Sequence, residues 1–239
     1  DAAHAVGSRY HDRPIGAADP QKKHHSSAVA FSFYATKNIT TGEGGMIVTP
    51  DQSMAKTMRR LSLHGMTNGA WKRNSWQYEV LGEGFKYNFN DIQAAIGIHQ
   101  LRKLDSTIAI RHEIAATYHQ LLSSVSEIAL PNPSVKHKTS WHLFSIRLNL
   151  KTLRTSRDYF VEKLKDMGVS TSVHFTPIPL HPYFNFLLQE SRNNCPRAME
   201  LCNRLISLPI YPAMTQEDIK YVCTALKSVI QKSKPGVRP

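Results

Sequence analysis

The chain is poor in cysteine and short of acid. Its 239 residues hold three cysteines, at 195, 202 and 223. None forms a C-x-x-C pair, and an odd number argues against a disulfide framework. Reduced, buried thiols are expected. No apolar run approaches the roughly 20 residues that a membrane span needs, and the first residues are not basic-then-apolar as in a secretory signal. A soluble, cytoplasmic protein is expected. Metal-ligand spacing of the HExxH kind is missing, so no metal is expected. Asp and Glu number 18 against 30 Lys and Arg, a formal charge of +12, which favours anionic partners. The basic residues are scattered, without the compact stripe or recognition-helix pattern of a nucleic-acid binder. With 41% hydrophobic and 9% aromatic residues, disorder is excluded, and the length allows one large domain or two modest ones.

Two short runs rich in β-formers, Ala28 to Phe33 and Gly45 to Thr49, bracket a Thr/Asn/Gly-rich connection and read as two buried strands joined by a loop that carries Lys37. Thr49-Pro50-Asp51-Gln52 reads as a helix start with Thr49 as N-cap and Pro50 at the first helical position. That helix should run to about Leu63 and stop at His64-Gly65. The stretch from Met66 to Asn90 has little periodicity but holds Trp71, Trp76, Tyr78, Phe85 and Tyr87, the composition of a functional loop. Asn90 and Gln93 should cap the next helix, and a second helical pattern continues through Ile108 to Leu122.

Pro131-Asn132-Pro133 breaks the chain, and the domain boundary is placed just before it. Residues 1–125 then form one domain, 126–231 a smaller α/β domain and 232–239 a flexible tail. In the smaller domain, His142 to Leu148 and Val169 to Phe175 read as strands. Ser156 to Met167 and Cys195 to Ile206 read as helices, and Thr215 with Asp218 opens a last helix whose apolar face is Ile219, Val222, Leu226 and Val229. Lys22-Lys23-His24-His25 reads as a solvated loop.

Lys37 is the most suggestive single residue. A lysine between two buried strands either emerges to solvent or is used. Desolvation favours its neutral amine, the form that attacks carbonyl carbon. Gly42-Glu43-Gly44-Gly45 lacks the length and the Lys-Ser/Thr ending of a P-loop, so a tight turn is the better reading.

The block SFYATKNITTGEGGMIVT, with DAAHAVGSRY before it and GFKYNFNDIQAAIGIHQLRKLD after it, resembles the DegT/DnrJ/EryC/StrS sugar aminotransferases. SWHLFSIRL, GVSTSVHFTPIPLHPYF and LISLPIYPAMTQEDIKYVCTAL resemble the same family's C-terminal domain in the same order. Nearly the whole chain is covered by ordered blocks, which is more specific than any one motif. The resemblance implies an α/β chain of the aspartate-aminotransferase-like, fold type I class, with pyridoxal 5'-phosphate (PLP) as cofactor. It also implies that the chain is N-terminally incomplete. Residue 1 is Asp, in a small-apolar run that starts without turn or cap, and the family carries a large portion ahead of this position. A chain without that portion should expose sheet edge and hold PLP poorly.

By the same resemblance, Lys37 matches the lysine that carries PLP and shuttles the proton. Asp1 matches the partner of the pyridinium nitrogen, which keeps the ring able to accept electrons. His4 matches a residue beside the cofactor ring, and Ser32 a hydroxyl donor to its phosphate. Lys86 and Asn88 stand where the family reaches into a neighbouring subunit with G-x-N-x-R, so either is a candidate phosphate contact. His174, and His181 beyond it, fall in the block that lines the substrate pocket. The implied partners are a nucleotide-sugar, an amino-acid donor such as glutamate, and a second copy in a homodimer with shared active sites, with neither membrane nor nucleic acid. The blocks look most like members acting on 4-keto sugars, UDP- or dTDP-linked, such as the 4-keto-arabinose of lipid A and lipopolysaccharide modification. The dehydratase branch of the family replaces the lysine by His, and Lys37 weighs against it. A split-gene fragment, or a non-enzymatic regulatory or nucleic-acid-binding derivative, is the alternative from another class.

Overall fold

The computed structural model describes residues 1–17, 27–67, 78–132, 136–187 and 195–234. In chain order its elements are β1 (Arg9–Tyr10), β2 (Arg13–Pro14), β3 (Val29–Ser32), β4 (Gly45–Val48), α1 (Gln52–Leu61), α2 (Asp91–Arg102), α3 (Leu104–Leu122), β5 (Ile128–Ala129) and β6 (His137–Lys138). They continue with β7 (Phe144–Leu148), α4 (Arg157–Asp166), a 3-10 turn (Ile178–Leu180), α5 (Pro182–Leu187), α6 (Pro196–Cys202), β8 (Leu205–Leu208) and α7 (Gln216–Lys232). The chain divides into two compact units, 1–108 with 134–140, and 109–133 with 141–239.

In the first unit β3 and β4 pair antiparallel with Ser32 opposite Gly45, and β1 pairs with both β2 and β6. The β3–β4 pair is where the sequence placed two buried strands, but every residue of β4 is exposed. Its run of Met46, Ile47 and Val48 lacks the alternation of a half-buried strand. Among the described residues nothing covers it. The helix that follows is capped by Asp51, whose Oδ1 accepts from Ser53 and Met54 amides at 2.9 and 3.0 Å. Thr49, expected in that role, lies outside the helix, where its Oγ1 accepts from Asp51 N–H at 3.2 Å and donates to Ser27 O at 2.7 Å. A carboxylate at this position also meets the positive end of the helix dipole. The helix ends two residues early, at Leu61, and His64 and Gly65 follow with positive φ. Asn90 caps α2 as expected, accepting from Gln93 N at 2.9 Å while its amide meets Gln93 Oε1.

The second unit holds the main hydrophobic core. Its sheet runs β5-β7-β8, antiparallel throughout. Phe144, Ile146 and Leu148 of β7 are fully buried and alternate with Ser145 and Arg147, the period of a strand with one face inward. Against them pack Tyr118 and Leu122 of α3, Phe160 and Leu164 of α4, and the Ile219, Val222, Leu226, Val229 stripe of α7. The Thr215–Asp218 capping box forms in full. Val169 to Phe175 is not a strand: it makes one isolated bridge, Ser172 to Ser207. Helix α6 spans only Pro196–Cys202, because Pro196 fixes its start. Cys202 and Cys223 are buried and all three thiols are free, but Cys195 is exposed, against expectation. Lys22, Lys23, His24, His25, Trp71, Trp76 and the end of the tail lie outside the described residues.

Candidate active site around Lys37

The loop between β3 and β4 is folded by its own hydrogen bonds. Phe33 N–H donates to Gly44 O at 2.8 Å and Thr41 N–H to Phe33 O at 2.9 Å, while Thr40 Oγ1 donates to Phe33 O. Thr41 Oγ1 and Gln93 Nε2 both donate to Glu43 O at 2.7 Å, which ties the loop to α2. Asn38 and Ile39 are buried beneath it. Asn38 Nδ2 donates to Ser140 O at 3.0 Å, and its Oδ1 is buried without a partner among the described residues. Lys37 is half-buried on this framework, and desolvation lowers its pKa below the ordinary lysine value. Where a tight turn was expected over Gly42 to Gly45, the chain bends at Gly42 and Glu43, and Gly45 already opens β4.

Asp1, His4 and Ser32 stand on the same unit. Ala2 N–H donates to Ala30 O at 2.9 Å, fastening the Asp1 segment to β3. The Asp1 carboxylate accepts from Ala3 N–H at 2.8 Å. Ser32 Oγ accepts from Tyr34 N–H at 3.3 Å, so its own proton remains to donate. One strand therefore links an acid, a hydroxyl and an amine of lowered basicity.

Lys86 and Asn88 are both exposed. Lys86 forms an antiparallel bridge with Leu63, and its neighbours Phe85 and Tyr87 stack at 4.9 Å and 1° between planes. Those two rings line a cavity of about 690 Å³ with Phe31, Met46, Ile47 and Met58. In extended backbone alternate side chains point to opposite faces, so Lys86 and Asn88 turn away from that cavity. Lys37 is not among its lining residues, so this cavity is not the candidate active site. His174 belongs to the second unit, where Ser207 Oγ lies 2.8 Å from its Nδ1. Sequence reasoning passed over Asn38 and Ser207. An Asn or Ser with no motif around it carries no signal until its partner is known. Among the described residues no group of three or more His, Cys, Asp or Glu side chains is arranged to hold a metal ion.

The model of the DegT/DnrJ/EryC1/StrS aminotransferase family matches residues 1–227. The chain belongs to that family. As a member of the DegT/DnrJ/EryC1/StrS family it is 39% identical over 236 residues to the spore coat polysaccharide biosynthesis protein SpsC of Bacillus subtilis, covering 97% of this chain and 59% of SpsC. An uncharacterized protein of Methanocaldococcus jannaschii is 40% identical over 238 residues, 98% of this chain and 60% of its own length. The chain thus spans about three fifths of the relatives it matches. Among solved structures, Streptococcus pneumoniae Spr1654, a candidate sugar aminotransferase in its PLP form, superposes with a TM-score of 0.86 at 29% identity, over 98% of this chain and 57% of that one. Helicobacter pylori PseC, an aminotransferase of pseudoaminic acid biosynthesis, gives 0.84 at 27% identity, over 97% and 59%. The aspartate-aminotransferase-like fold expected from the sequence is the one these family structures share with it.

Proposed function

We propose that this chain carries the lysine-bearing part of a PLP-dependent aminotransferase that aminates a nucleotide-linked ketosugar, with glutamate as amino donor. The observation that carries the reading is the half-buried Lys37 of lowered pKa, on a loop whose strand also holds Ser32 and the Asp1 segment. The donor set fits the cofactor. Lys37 would hold it covalently, Asp1 would meet the ring nitrogen, His4 would lie beside the ring, and Ser32, Lys86 and Asn88 are the phosphate donors. PLP, when bound, supplies an electron sink for the carbon that loses its proton.

The residues do the rest. Desolvation keeps more of the Lys37 Nζ population neutral at a given pH than in water, so the amine is ready both to attack a carbonyl and to accept a proton. The Asp1 carboxylate favours the protonated form of a nitrogen placed beside it. Ser32 Oγ donates to a phosphate without giving up the bond it accepts from Tyr34. Exposure of Lys86 and Asn88 on one unit supports a homodimer in which they serve the neighbouring copy's site. So does helix α2, which leaves Ile92, Ile98 and Leu101 in solvent. The names of SpsC and PseC place those relatives in surface-polysaccharide and sugar biosynthesis, which supports a role here in making an aminated sugar, with a 4-keto, UDP- or dTDP-linked substrate. No described helix is long and apolar enough to cross a membrane, and a cytoplasmic enzyme is part of the reading.

Borohydride reduction of the chain mixed with PLP should leave one pyridoxyl adduct, on the peptide containing Lys37, and Lys37→Ala should abolish it. An adduct that survives in Lys37→Ala would sink the assignment. Turnover of a panel of UDP- and dTDP-linked ketosugars with glutamate tests the rest. Amination confined to 3-keto sugars would refute the 4-keto reading.

A further inference from the structure

In the second unit, the segment around His174 meets the outer edge of β8 at Ser207. Its amide donates to Ser172 O at 2.8 Å, its carbonyl accepts from Ser172 N at 3.2 Å, and its Oγ meets His174 Nδ1 at 2.8 Å. On its other side Ser207 lies opposite Ser145 of β7. Because Ser207 spends both main-chain groups on Ser172, the Ser145–Ser207 pair is of the non-hydrogen-bonded kind. The register agrees, since Leu148 N–H donates to Arg204 O three positions along. Such pairs bring Cα atoms to about 4.5 Å, the closest approach in an antiparallel ladder. Two short hydroxyl side chains can touch there, and Ser145 Oγ and Ser207 Oγ are 2.8 Å apart. His174 Nδ1, Ser207 Oγ and Ser145 Oγ thus form a chain of polar atoms whose middle member is buried.

We propose that Ser207 and Ser145 are positioning residues that mount His174 reversibly, holding the imidazole at Nδ1 whether or not that nitrogen carries a proton. A serine hydroxyl has one proton to give and lone pairs to receive. With Nδ1 bare, Ser145 donates to Ser207 and Ser207 donates to the ring. With Nδ1 protonated, the ring donates to Ser207, whose proton turns to Ser145. No heavy atom moves and both bonds persist. Without Ser145 the second state would leave the buried Ser207 proton with no acceptor in the chain, a costly arrangement. The purpose of the mount rests on the reading of His174 as a substrate-side residue of the aminotransferase, while the mount itself does not.

Nitrogen NMR of the full chain, labelled at histidine and held at a pH where His174 is neutral, reads the tautomer directly. Ser145→Ala, which leaves the Ser207 proton one acceptor in the chain, should shift His174 toward the Nε2–H form. Ser207→Ala should move both ring nitrogens, and Ser207→Thr should restore them, with unchanged amide spectra elsewhere reporting an intact fold. Ring nitrogens indifferent to Ser145→Ala and to Ser207→Ala would overturn the mount. If Ser207→Ala fails to fold, Ser145→Ala and Ser207→Thr decide alone. Titration with UDP-glucose should move the His174 ring-nitrogen resonances, and Ser207→Ala should weaken that binding about tenfold, the worth of one good hydrogen bond. Variants that shift the tautomer as expected while UDP-glucose leaves His174 unmoved would keep the mount and sink the substrate-side reading.

Discussion

Gly44→Ala should loosen the Lys37 loop by an amount that the geometry fixes. Gly44 sits at φ +149°, and a Cβ built on it would lie 2.5 Å from both Thr41 Oγ1 and Phe89 Cε2. Neither neighbour gives way freely. Thr41 Oγ1 holds Glu43 O, and the Phe89 ring packs on Phe33 at 6.4 Å between centroids. The unfavourable φ costs about 1 kcal/mol, and overpacking costs about 1–3 kcal/mol. Gly42→Ala is the matched control. Its φ is +78°, but nothing lies within 4 Å of the added carbon, so only the conformational cost applies. Hydrogen exchange of a peptide covering residues 29–48 is the assay, because the Phe33 and Thr41 amides report opening of this loop. A total near 3 kcal/mol means exchange faster by on the order of 100-fold in Gly44→Ala, against about fivefold in Gly42→Ala. Equal exchange in the two variants would refute the steric half of the reasoning. The borohydride-trapped Lys37 adduct should fall in step with the loosening in Gly44→Ala.

Two further outcomes follow from titratable groups of the second unit. The backbone and side-chain hydrogen bonds from Thr215 hold the Asp218 carboxyl below its usual pKa, so its contribution is present above the unfolded value of about 3.9 and is lost as pH falls through the lower folded value. Melting scans from about pH 5 down to about pH 2 should therefore show a shallower acid loss in Asp218→Asn than in the native chain, and parallel curves would contradict this. Iodoacetamide at neutral pH should alkylate Cys195 and spare Cys202 and Cys223, since burial pushes the Cys223 thiol up to about 11 and only a thiolate reacts. Labelling of Cys223 at the rate of Cys195, read by mass spectrometry, would show the core to be open.

Features governed by neighbours in sequence were the legible ones. The Thr215–Asp218 box, the Asn90 cap, the β3–β4 pair and the α7 stripe all depend on residues a few positions apart. Features settled by distant partners were not. Thr49 reads as a cap, but its hydroxyl donates to Ser27 O, far back in the chain, and accepts from Asp51 N–H, while Asp51 caps the helix. Val169 to Phe175 has the β-formers of a strand, but only Ser172 finds a ladder partner. The β4 run is apolar, yet nothing described packs on it, so composition alone suggested burial that is not there. The candidate site shows the same division. Lys37 stood out by its motif, whereas Asn38, Ser145 and Ser207 acquire meaning only through partners brought to them by the fold.

The uncovered β4 wall has a thermodynamic consequence. Met46 and Ile47 are each more than half exposed, and with Phe85 and Tyr87 they line one apolar trough. Closing any surface over it releases water from apolar groups, so the process near 25 °C is driven by entropy and carries a negative heat-capacity change. Added salt of the ordinary kind has little charge there to screen. Cooling weakens such a closure and sulfate strengthens it, the reverse of what a contact made by the chain's many lysines and arginines would do.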